Sequence, residues 1–363
     1  VLDDYSSLRN IENTTPSETA VIYPIREALS WEPSLPLGLP GKSFQGDNFF
    51  TAPNLGPEVM ITYYYSEDYT SLKEKRAKKE KALIKDKKDT PYPDYGALKA
   101  EKDEDEAKLI FNIKDKDGHV VKKQFKKPAK GLQRFHWDLR YTLPNPIDLS
   151  KSSFYNPWAS KDEGTLAAPG VYTVDMQLYD NGKVTTLVAP VSFTIKGLEN
   201  TIMPAEDRAA KVAFQKQVAQ LEADLNATKS MMGETNTKLK YMKAAIERME
   251  NPFADYYKMV IAIEDKLKAV SIALNGDPVK KELDIDQPKS PAARIGIMSY
   301  EQKYTTSTPT KTHTSSYDIA REAMDEIKKQ VENIYNVDVK QLEDQLVKSG
   351  AGYTPGRGNE NKN

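Results

Sequence analysis

Three histidines are the first candidates for acid–base or metal chemistry in this chain: His119, His136 and His313. No two of them have the i, i+4 spacing that places both imidazoles on one face of a helix, as a helical zinc site requires. His136 and Asp138 are two residues apart on a predicted strand, so both side chains can point to one face. A hydrogen-bonded polar pair and an acid–base or metal dyad both fit this spacing, and we favour the polar pair.

The tetrapeptide Trp137-Asp138-Leu139-Arg140 is the most distinctive short run in the chain. Alternation along a strand would turn Trp137 toward a core. It would leave Asp138 and Arg140 on the opposite face, where they can pair with each other or with loop backbone. In the alternative interpretation, Arg140 grips a ligand carboxylate or phosphate. We favour the structural role and expect the run to be a marker of the fold.

Two acidic runs, Asp3-Asp4 and Asp115-Lys116-Asp117-Gly118, are candidates for calcium binding. The second run lacks the third acidic ligand and the distal Glu of an EF-hand loop, and it fits a hairpin turn better. No Gly-rich phosphate loop follows a strand signal. We therefore assign no catalytic, cofactor-binding or metal-ligating residue, and we expect no cofactor.

The composition excludes several classes of function. The 363 residues include 52 basic and 53 acidic ones, so the net charge of −1 creates no global field that attracts nucleic acid or an anionic membrane. The absence of cysteine removes disulfides and thiolate metal sites. No apolar run approaches the length of a transmembrane helix. The length predicts two or three domains, and the start at Val1 suggests that a larger N-terminal part precedes the chain.

Strand signals, in which apolar and polar residues alternate, recur through residues 51–197. The segments are 58–65, 107–113, 120–125, 131–141, 171–179 and 191–195. Phe135, Trp137 and Leu139 are expected to face inward, and Pro169-Gly170 to turn the chain into the strand that contains Tyr172. Short strands at this spacing, with Gly-containing turns, predict an immunoglobulin-like antiparallel β-sandwich.

Two segments in this half of the chain differ from the strands. Residues 1–50 are rich in Pro and Gly and are expected to form a linker that lies on a neighbouring element. The insert at 66–106 has nine basic and three acidic residues across 73–88, followed by a net charge of −4 across 101–106. The two blocks could face each other in a solvated helical hairpin, or the insert could be a mobile loop. A docking surface for an acidic partner is the alternative, and the lack of interleaved aromatics in the basic run argues against nucleic acid.

After Pro204 the apolar residues recur in alternating steps of three and four, which is typical of packed antiparallel helices. The stripe comprises Val218, Leu221, Leu225, Thr228, Met232, Thr235, Leu239, Met242, Ile246 and Met249, then Phe253, Tyr256, Val260, Ile263, Leu267, Val270 and Leu274. Asn251-Pro252 predicts a bend at 250–253. A Ser/Thr/Pro-rich connection to residue 315 is expected to lead to a third helix at about 316–348.

The apolar face of this third helix is predicted to comprise Ile319, Ala323, Ile327, Val331, Ile334, Leu342 and Leu346. Residues 198–350 thus predict an antiparallel α-helical bundle, and residues 351–363 a disordered tail. The fold class expected for the whole chain is multidomain α+β, with the sandwich preceding the bundle.

Several motifs occur in an order that resembles bacterial sortilin-like proteins, whose β-propellers carry bacterial-neuraminidase-type (BNR) repeats and which are often labelled glycosyl hydrolases. The motifs are Leu2 to Arg9, Gly131 to Tyr141, Ala167 to Val174 and Thr308-Pro309-Thr310. The resemblance implies that residues 1–50 leave a propeller. The propeller and its Ser-x-Asp-x-Gly-x-Thr-Trp boxes are absent from this sequence, so the hydrolase activity carries over to no residue here. The insert at 66–106 is also longer than the family pattern.

The resemblance implies a non-catalytic scaffold or binding region of a secreted or cell-envelope protein from a Bacteroidota-like bacterium, with an extracellular, periplasmic or outer-membrane-associated location. The expected partners are the upstream β-propeller of the same protein and an envelope protein or glycan, with no nucleic acid and no membrane span. Two alternatives remain open. One is the accessory C-terminal part of a glycoside hydrolase or sialidase-like enzyme whose active site lies in the upstream propeller. The other is a structural subunit of an envelope assembly.

Overall fold

The computed structural model describes residues 7, 9, 19–32, 46, 56–149, 163–198, 206–250, 254–303 and 305–356. The chain divides into two compact units. The first comprises residues 1–142 and 166–204, and the second comprises residues 143–165 and 205–363.

The first unit contains eight described strands in two sheets. The strands are β1 (Ala20–Ile22), β2 (Ala28–Ser30), β3 (Val59–Tyr65), β4 (Lys108–Lys114), β5 (Val120–Lys126), β6 (Gly131–Trp137), β7 (Gly170–Asp180) and β8 (Lys183–Gly197). One sheet is antiparallel and has the order β1-β3-β6. The other has the order β2-β8-β7-β4-β5, in which β2 runs parallel to β8 and the remaining pairs are antiparallel.

The prediction of an immunoglobulin-like antiparallel sandwich followed by an antiparallel helical bundle is wrong. The five-stranded sheet curls into a half-barrel. It is mixed, because Ala28 to Ser30 pair in parallel with Ile195 to Gly197. Strand periodicity indicates which residues face a core, but it does not specify which strands pair or in which direction. The strand β2 has only three residues, which is too short for a period-2 signal. It also lies in the segment that was expected to be a linker.

The core of the first unit follows the alternation of the sequence. Val59, Ile61 and Tyr63 on β3 are all nearly inaccessible to solvent, as are Leu109, Phe111 and Ile113 on β4. Phe135 and Trp137 on β6 and Leu139 just beyond it are also buried, which confirms the inward orientation predicted for these three side chains. Tyr63, Phe111 and Phe135 form a tilted aromatic cluster with ring centroids 4.6 to 6.1 Å apart.

The insert at 66–106 forms a helical hairpin, the first of the two alternatives predicted for it. Its helices are α1 (Leu72–Lys85) and α2 (Tyr95–Asp103). Ser71 and Glu74 form a capping box at the start of α1, and Asp94 caps α2 through Ala97 N. No side chain of either helix is buried, so local capping and ion pairs, rather than a core, hold these helices.

The second unit is built from helices. They are α3 (Arg208–Glu247), α4 (Ala254–Asn275), α5 (Pro278–Glu282), α6 (Pro291–Lys303), α7 (Lys311–Asn333), a π-helix (Ile334–Val339) and α8 (Lys340–Lys348). The predicted stripe from Val218 to Ile246 on α3 is buried, and so are the stripe residues from Val260 to Leu274 on α4. Phe253 and the bend predicted around it lie outside the described residues, apart from Glu250.

Two predictions for the C-terminal helices are wrong. The connection to residue 315 contains α5 and α6, and the third helix begins at Lys311. Its buried face carries Ala320 and Met324, whereas the predicted Ile319 is 50% exposed. Buried residues then follow at Ile334 and Val339, five residues apart. A π-helical turn accommodates this step, because its hydrogen bonds span five residues.

Candidate binding site

In the run from Trp137 to Arg140, three side chains are buried and that of Asp138 is exposed. Trp137 Nε1 donates a hydrogen bond of 2.9 Å to the carbonyl of Arg140, and Arg140 N donates to Asp138 Oδ1 over 3.1 Å. Leu139, between them, has a φ of +56°, the left-handed conformation that closes such a turn. The Trp137 ring packs edge-on against Tyr172, 5.7 Å between centroids. The indole therefore stabilises the turn that follows β6 through a hydrogen bond and an aromatic contact.

The side chain of Arg140 does not face solvent. Its Nη2 lies 3.1 Å from Oε2 and 3.2 Å from Oε1 of Glu32, and the side chains of Arg140 and Glu32 are only 8% and 6% exposed. An isolated bridge joins Arg140 to Leu166. The guanidinium is thus paired with Glu32 inside the protein. It has little exposed surface with which to bind a ligand carboxylate or phosphate, which argues against that interpretation.

The segment before β7 completes this cluster. Pro169 precedes Gly170, the first residue of β7, and Tyr172 Oη donates 2.8 Å to the carbonyl of Ala168. The same hydroxyl lies 3.2 Å from Tyr141 Oη. Burial, followed by the hydrogen bond with Tyr141, raises the pKa of the Tyr172 phenol well above its usual range. Trp137, Arg140 and Tyr172 are thus buried in the first unit, Pro169 is half-buried, and Asp138 and Gly170 are exposed.

The three histidines are far apart in the chain and in different settings. His119 and His136 are exposed and lie 3.6 Å from Asp115 and 3.1 Å from Glu58, respectively. His136 therefore has a carboxylate neighbour other than the predicted Asp138. His313, which was expected in a loop, lies in the first turn of α7 and forms a capping box with Thr310.

The hairpin turn between β4 and β5 brings ligand atoms of Asp115, Asp117 and His119 within 4.8 Å of one another. Asp115 Oδ1 already accepts hydrogen bonds from the backbone of Asp117 and His119, at 3.0 and 2.9 Å. This is the hydrogen bonding of an Asx turn. The exposed cluster therefore serves the turn, in agreement with the interpretation favoured from sequence.

The second unit contains a cavity of about 260 Å³ that sequence reasoning missed. It is lined by residues of α3, α6 and the adjoining segments 143–145 and 163–165. Val218, Ala219 and Leu143 contribute apolar wall, whereas Gln215, Gln302 and Ser299 contribute polar groups. The combination of an apolar wall with a few polar groups is typical of a small-molecule site.

Two glutamine amides of the lining are held in one orientation by their own hydrogen bonds. Gln215 Nε2 donates to the backbone carbonyl of Gln302. Gln302 Nε2 lies 3.3 Å from His313 Nδ1, and the backbone N–H of Thr310 also points to this nitrogen at 3.1 Å. Since Nδ1 accepts from Thr310, it carries no hydrogen, so the NH₂ group of Gln302 is favoured beside it over the amide oxygen. Reversing either amide would set an oxygen against another acceptor.

Each of these amides leaves its oxygen unused. Oε1 of Gln215 and Oε1 of Gln302 are buried and have no hydrogen-bond partner among the described residues. The two residues are only 6% and 2% exposed. An unsatisfied buried carbonyl group costs about 1 to 3 kcal/mol, so two of them beside one cavity call for an explanation.

Further polar groups complete the lining. Ser299 Oγ donates 2.7 Å to Glu222 Oε2, which orients that carboxylate on the cavity wall. Tyr300 also lines the cavity and is 68% exposed, so its ring lies toward the entrance. At Gly296 an added Cβ would meet no atom within 4 Å. The lining thus includes one oriented carboxylate and an aromatic ring near solvent.

A sequence signal for this site exists in retrospect. Gln215 continues the buried stripe of α3 three residues before Val218, and Gln302 follows Met298 by four residues on the buried face of α6. A polar residue at a buried stripe position needs a partner. The predicted stripe began at Val218, and α6 was not predicted, so neither glutamine was identified.

No protein-family model matches the chain, and a comparison with curated proteins gives no match. None of the described helices is both long and apolar enough to cross a bilayer.

Proposed function

We propose that this chain is a non-catalytic binding region that takes one sugar unit of a glycan into the cavity of its second unit. The observation that carries the proposal is the pair of buried, partnerless amide oxygens of Gln215 and Gln302. A shift of the lining on binding would let ligand hydroxyls supply the missing donors, and a sugar offers several hydroxyls on a compact frame.

The size and composition of the cavity support a single sugar unit. A volume of about 260 Å³ lies just below the range of about 300 to 1,000 Å³ of drug-sized pockets. Val218 and Ala219 would contact the apolar face of a sugar ring, and Glu222 would accept from a further hydroxyl. Tyr300 near the entrance offers an aromatic surface for the next unit of the glycan.

The wider setting is also part of the proposal. The order of the motifs from Gly131 to Tyr141 and from Ala167 to Val174 supports a resemblance to sortilin-like propeller proteins. Under this proposal the chain serves as a scaffold beside an upstream β-propeller in a secreted or cell-envelope protein. Co-purification of the chain with a separately expressed propeller would support that setting, and a lack of affinity would count against it.

The sugar-binding proposal is tested with free monosaccharides. Glucose, galactose, mannose, N-acetylglucosamine and N-acetylneuraminic acid would each be titrated and followed by ¹H–¹⁵N NMR. A ligand of about twelve heavy atoms at about −0.3 kcal/mol per atom predicts a Kd on the order of millimolar. We expect at least one sugar to bind and to shift the amide signals of α3 and α6.

Matched variants locate the binding. Gln215→Met and Gln302→Met keep the side-chain length but remove the acceptor, and each is expected to weaken sugar binding about tenfold or more. Gln217→Met, an exposed glutamine on the same helix, is the control and should leave the affinity unchanged. The proposal is wrong if no sugar binds, if Gln217→Met weakens binding as much as Gln215→Met, or if the chain hydrolyses glycans.

A further inference from the structure

The helix α1 presents a basic face to solvent. Lys75, Lys78, Lys79, Lys81 and Lys85, hereafter the basic face, are all exposed. At 100° per residue these five side chains fall within about half of the helix circumference. Lys78 lies 3.9 Å from Asp68 in an ion pair whose partners are both largely exposed. For the other four lysines, no carboxylate of a described residue lies within ion-pair distance.

Two acidic residues of the hairpin are engaged by Arg76. Arg76 binds Glu101 in a bidentate pair with N–O distances of 2.6 and 2.9 Å, and it binds Glu80 at 2.7 Å. These contacts lower the pKa of the Glu101 carboxyl, with the hydrogen bond from Arg76 as the largest cause. Both carboxylates thus neutralise an arginine that stands apart from the basic face.

Two further acidic side chains of the insert serve the start of α1. Glu74 accepts from the backbone of Ser71 in the capping box at 3.0 Å. Glu104 accepts from Leu72 N at 2.8 and 3.1 Å. Negative charge at a helix N-terminus is stabilising, so these carboxylates have a structural use where they are. Among the described residues, no carboxylate of the acidic block at 101–106 lies within ion-pair distance of a lysine of the basic face.

We propose that the basic face of α1 docks an acidic segment of a partner protein. Complementary charge carries this assignment, because four of the five lysines have no carboxylate of a described residue within ion-pair distance, although the whole chain has a net charge of −1. The proposal does not depend on the cavity or on its ligand.

The dimensions and residue types favour a peptide chain. Lys75 and Lys85 are about 15 Å apart along the axis at 1.5 Å per residue, which an extended segment of about five residues spans. The cations of the face are all lysines, and α1 contains no aromatic residue on which a base could stack. A second copy of this chain is a poorer match, since three of the five acidic residues at 101–106, namely Glu101, Glu104 and Asp105, already accept hydrogen bonds.

The probe is a fluorescently labelled decaglutamate peptide, whose binding to the full chain is followed by anisotropy at about 0.15 M salt. A variant with Lys75, Lys79, Lys81 and Lys85 all changed to Gln should bind the peptide about tenfold or more weakly, because each exposed ion pair contributes a small factor. Gln preserves helix propensity, and circular dichroism would verify that the hairpin remains folded.

The matched control removes the same charge from another surface. Lys229, Lys240, Lys268 and Lys329 are exposed lysines of the second unit, and their fourfold change to Gln should alter the affinity less than twofold. Raising the salt concentration should weaken binding by the unaltered chain.

Three results would overturn the proposal. They are an absence of peptide binding by the unaltered chain, equal losses in the two fourfold variants, and tighter binding of a single-stranded oligonucleotide of equal charge. The last result would assign the basic face to nucleic acid. Sugar binding in the cavity is measured separately, so its failure would leave this result unaffected.

Discussion

Arg140 and Glu32 form an ion pair whose closest N–O distance is 3.1 Å and whose two side chains are each less than a tenth exposed. Glu32 follows β2 by two residues and Arg140 follows β6 by three, so the pair ties an early segment of the chain to the turn that Trp137 closes. A charge buried in this way is stable only with its partner in place.

Removing one member of this pair should be more harmful than removing both. Arg140→Met leaves the Glu32 carboxylate buried without its cation, and it is expected to lower the free energy of unfolding by about 3 to 5 kcal/mol. The double variant Arg140→Met with Glu32→Met should recover part of this loss. Urea denaturation of the two single variants and the double variant measures the coupling, and simple additivity would contradict a direct interaction.

The indole of Trp137 should contribute a hydrogen bond as well as packing. Trp137→Phe removes the indole N–H that donates to the buried carbonyl oxygen of Arg140. We expect a loss of about 1 to 3 kcal/mol from the unsatisfied oxygen, plus the loss of contact with Tyr172 and Phe193. The measurement is again urea denaturation, and a change below about 0.5 kcal/mol would show that the hydrogen bond is replaced.

Sequence reasoning succeeded where a period identifies a face. The steps of three and four from Val218 to Ile246 marked the buried side of α3, and alternation marked Phe135 and Trp137. It failed where the outcome depends on tertiary pairing. The parallel contact of Ala28 with Ile195 joins residues far apart in sequence and leaves no local signal.

The candidate site could not be predicted from the sequence for a related reason. The orientation of the Gln215 amide depends on Gln302 and that of the Gln302 amide on His313, and these three residues lie on three different helices. Each of these residues is ordinary within its own segment. The Trp137 run, by contrast, is locally distinctive because an unusual turn needs particular residues, and its role lies in packing.

Alkaline pH should weaken the first unit through its buried tyrosines. Burial raises the pKa of Tyr63 to about 12, from the ordinary value of 10. The stabilisation from the protonated phenol is fully present below pH 10 and is lost as the pH rises through 12, by about 2 to 3 kcal/mol in total. Between pH 10 and 12, Tyr63→Phe should therefore show a flatter decline of the free energy of unfolding than the unaltered chain.

The exposed Tyr92, at 88%, provides the control for this pH dependence. Tyr92→Phe should reproduce the decline of the unaltered chain, and stability is measured by urea denaturation at each pH. If Tyr63→Phe and Tyr92→Phe behave alike, ionisation of Tyr63 does not contribute to alkaline unfolding.

The hairpin of the insert should depend on the fork geometry of Arg76. Arg76→Lys keeps the positive charge but cannot contact both oxygens of Glu101 while also binding Glu80. We expect faster amide hydrogen exchange throughout α1 and α2, with no change in β4 or β7. Lys81→Arg on the same helix is the control, and equal exchange in both variants would show that the ion pair does not hold the hairpin.

Substitutions at Gly296 and Gly233 distinguish an effect on protein stability from an effect on ligand binding in the cavity. Both lie inside helices, α6 and α3, and at both an added Cβ meets no atom within 4 Å. Ala at either position should raise the free energy of unfolding by about 0.5 to 1 kcal/mol, because Gly loses more backbone entropy on folding. Only Gly296 lines the cavity.

Gly296→Ala should therefore weaken sugar binding, and Gly233→Ala should not, although the two variants gain similar stability. A larger residue, as in Gly296→Leu, should narrow the cavity further and abolish binding. Thermal unfolding and sugar titration on the same three proteins measure both quantities. Full affinity in Gly296→Leu would mean that the sugar binds elsewhere, and the unpaired oxygens of Gln215 and Gln302 would then need another donor, such as bound water.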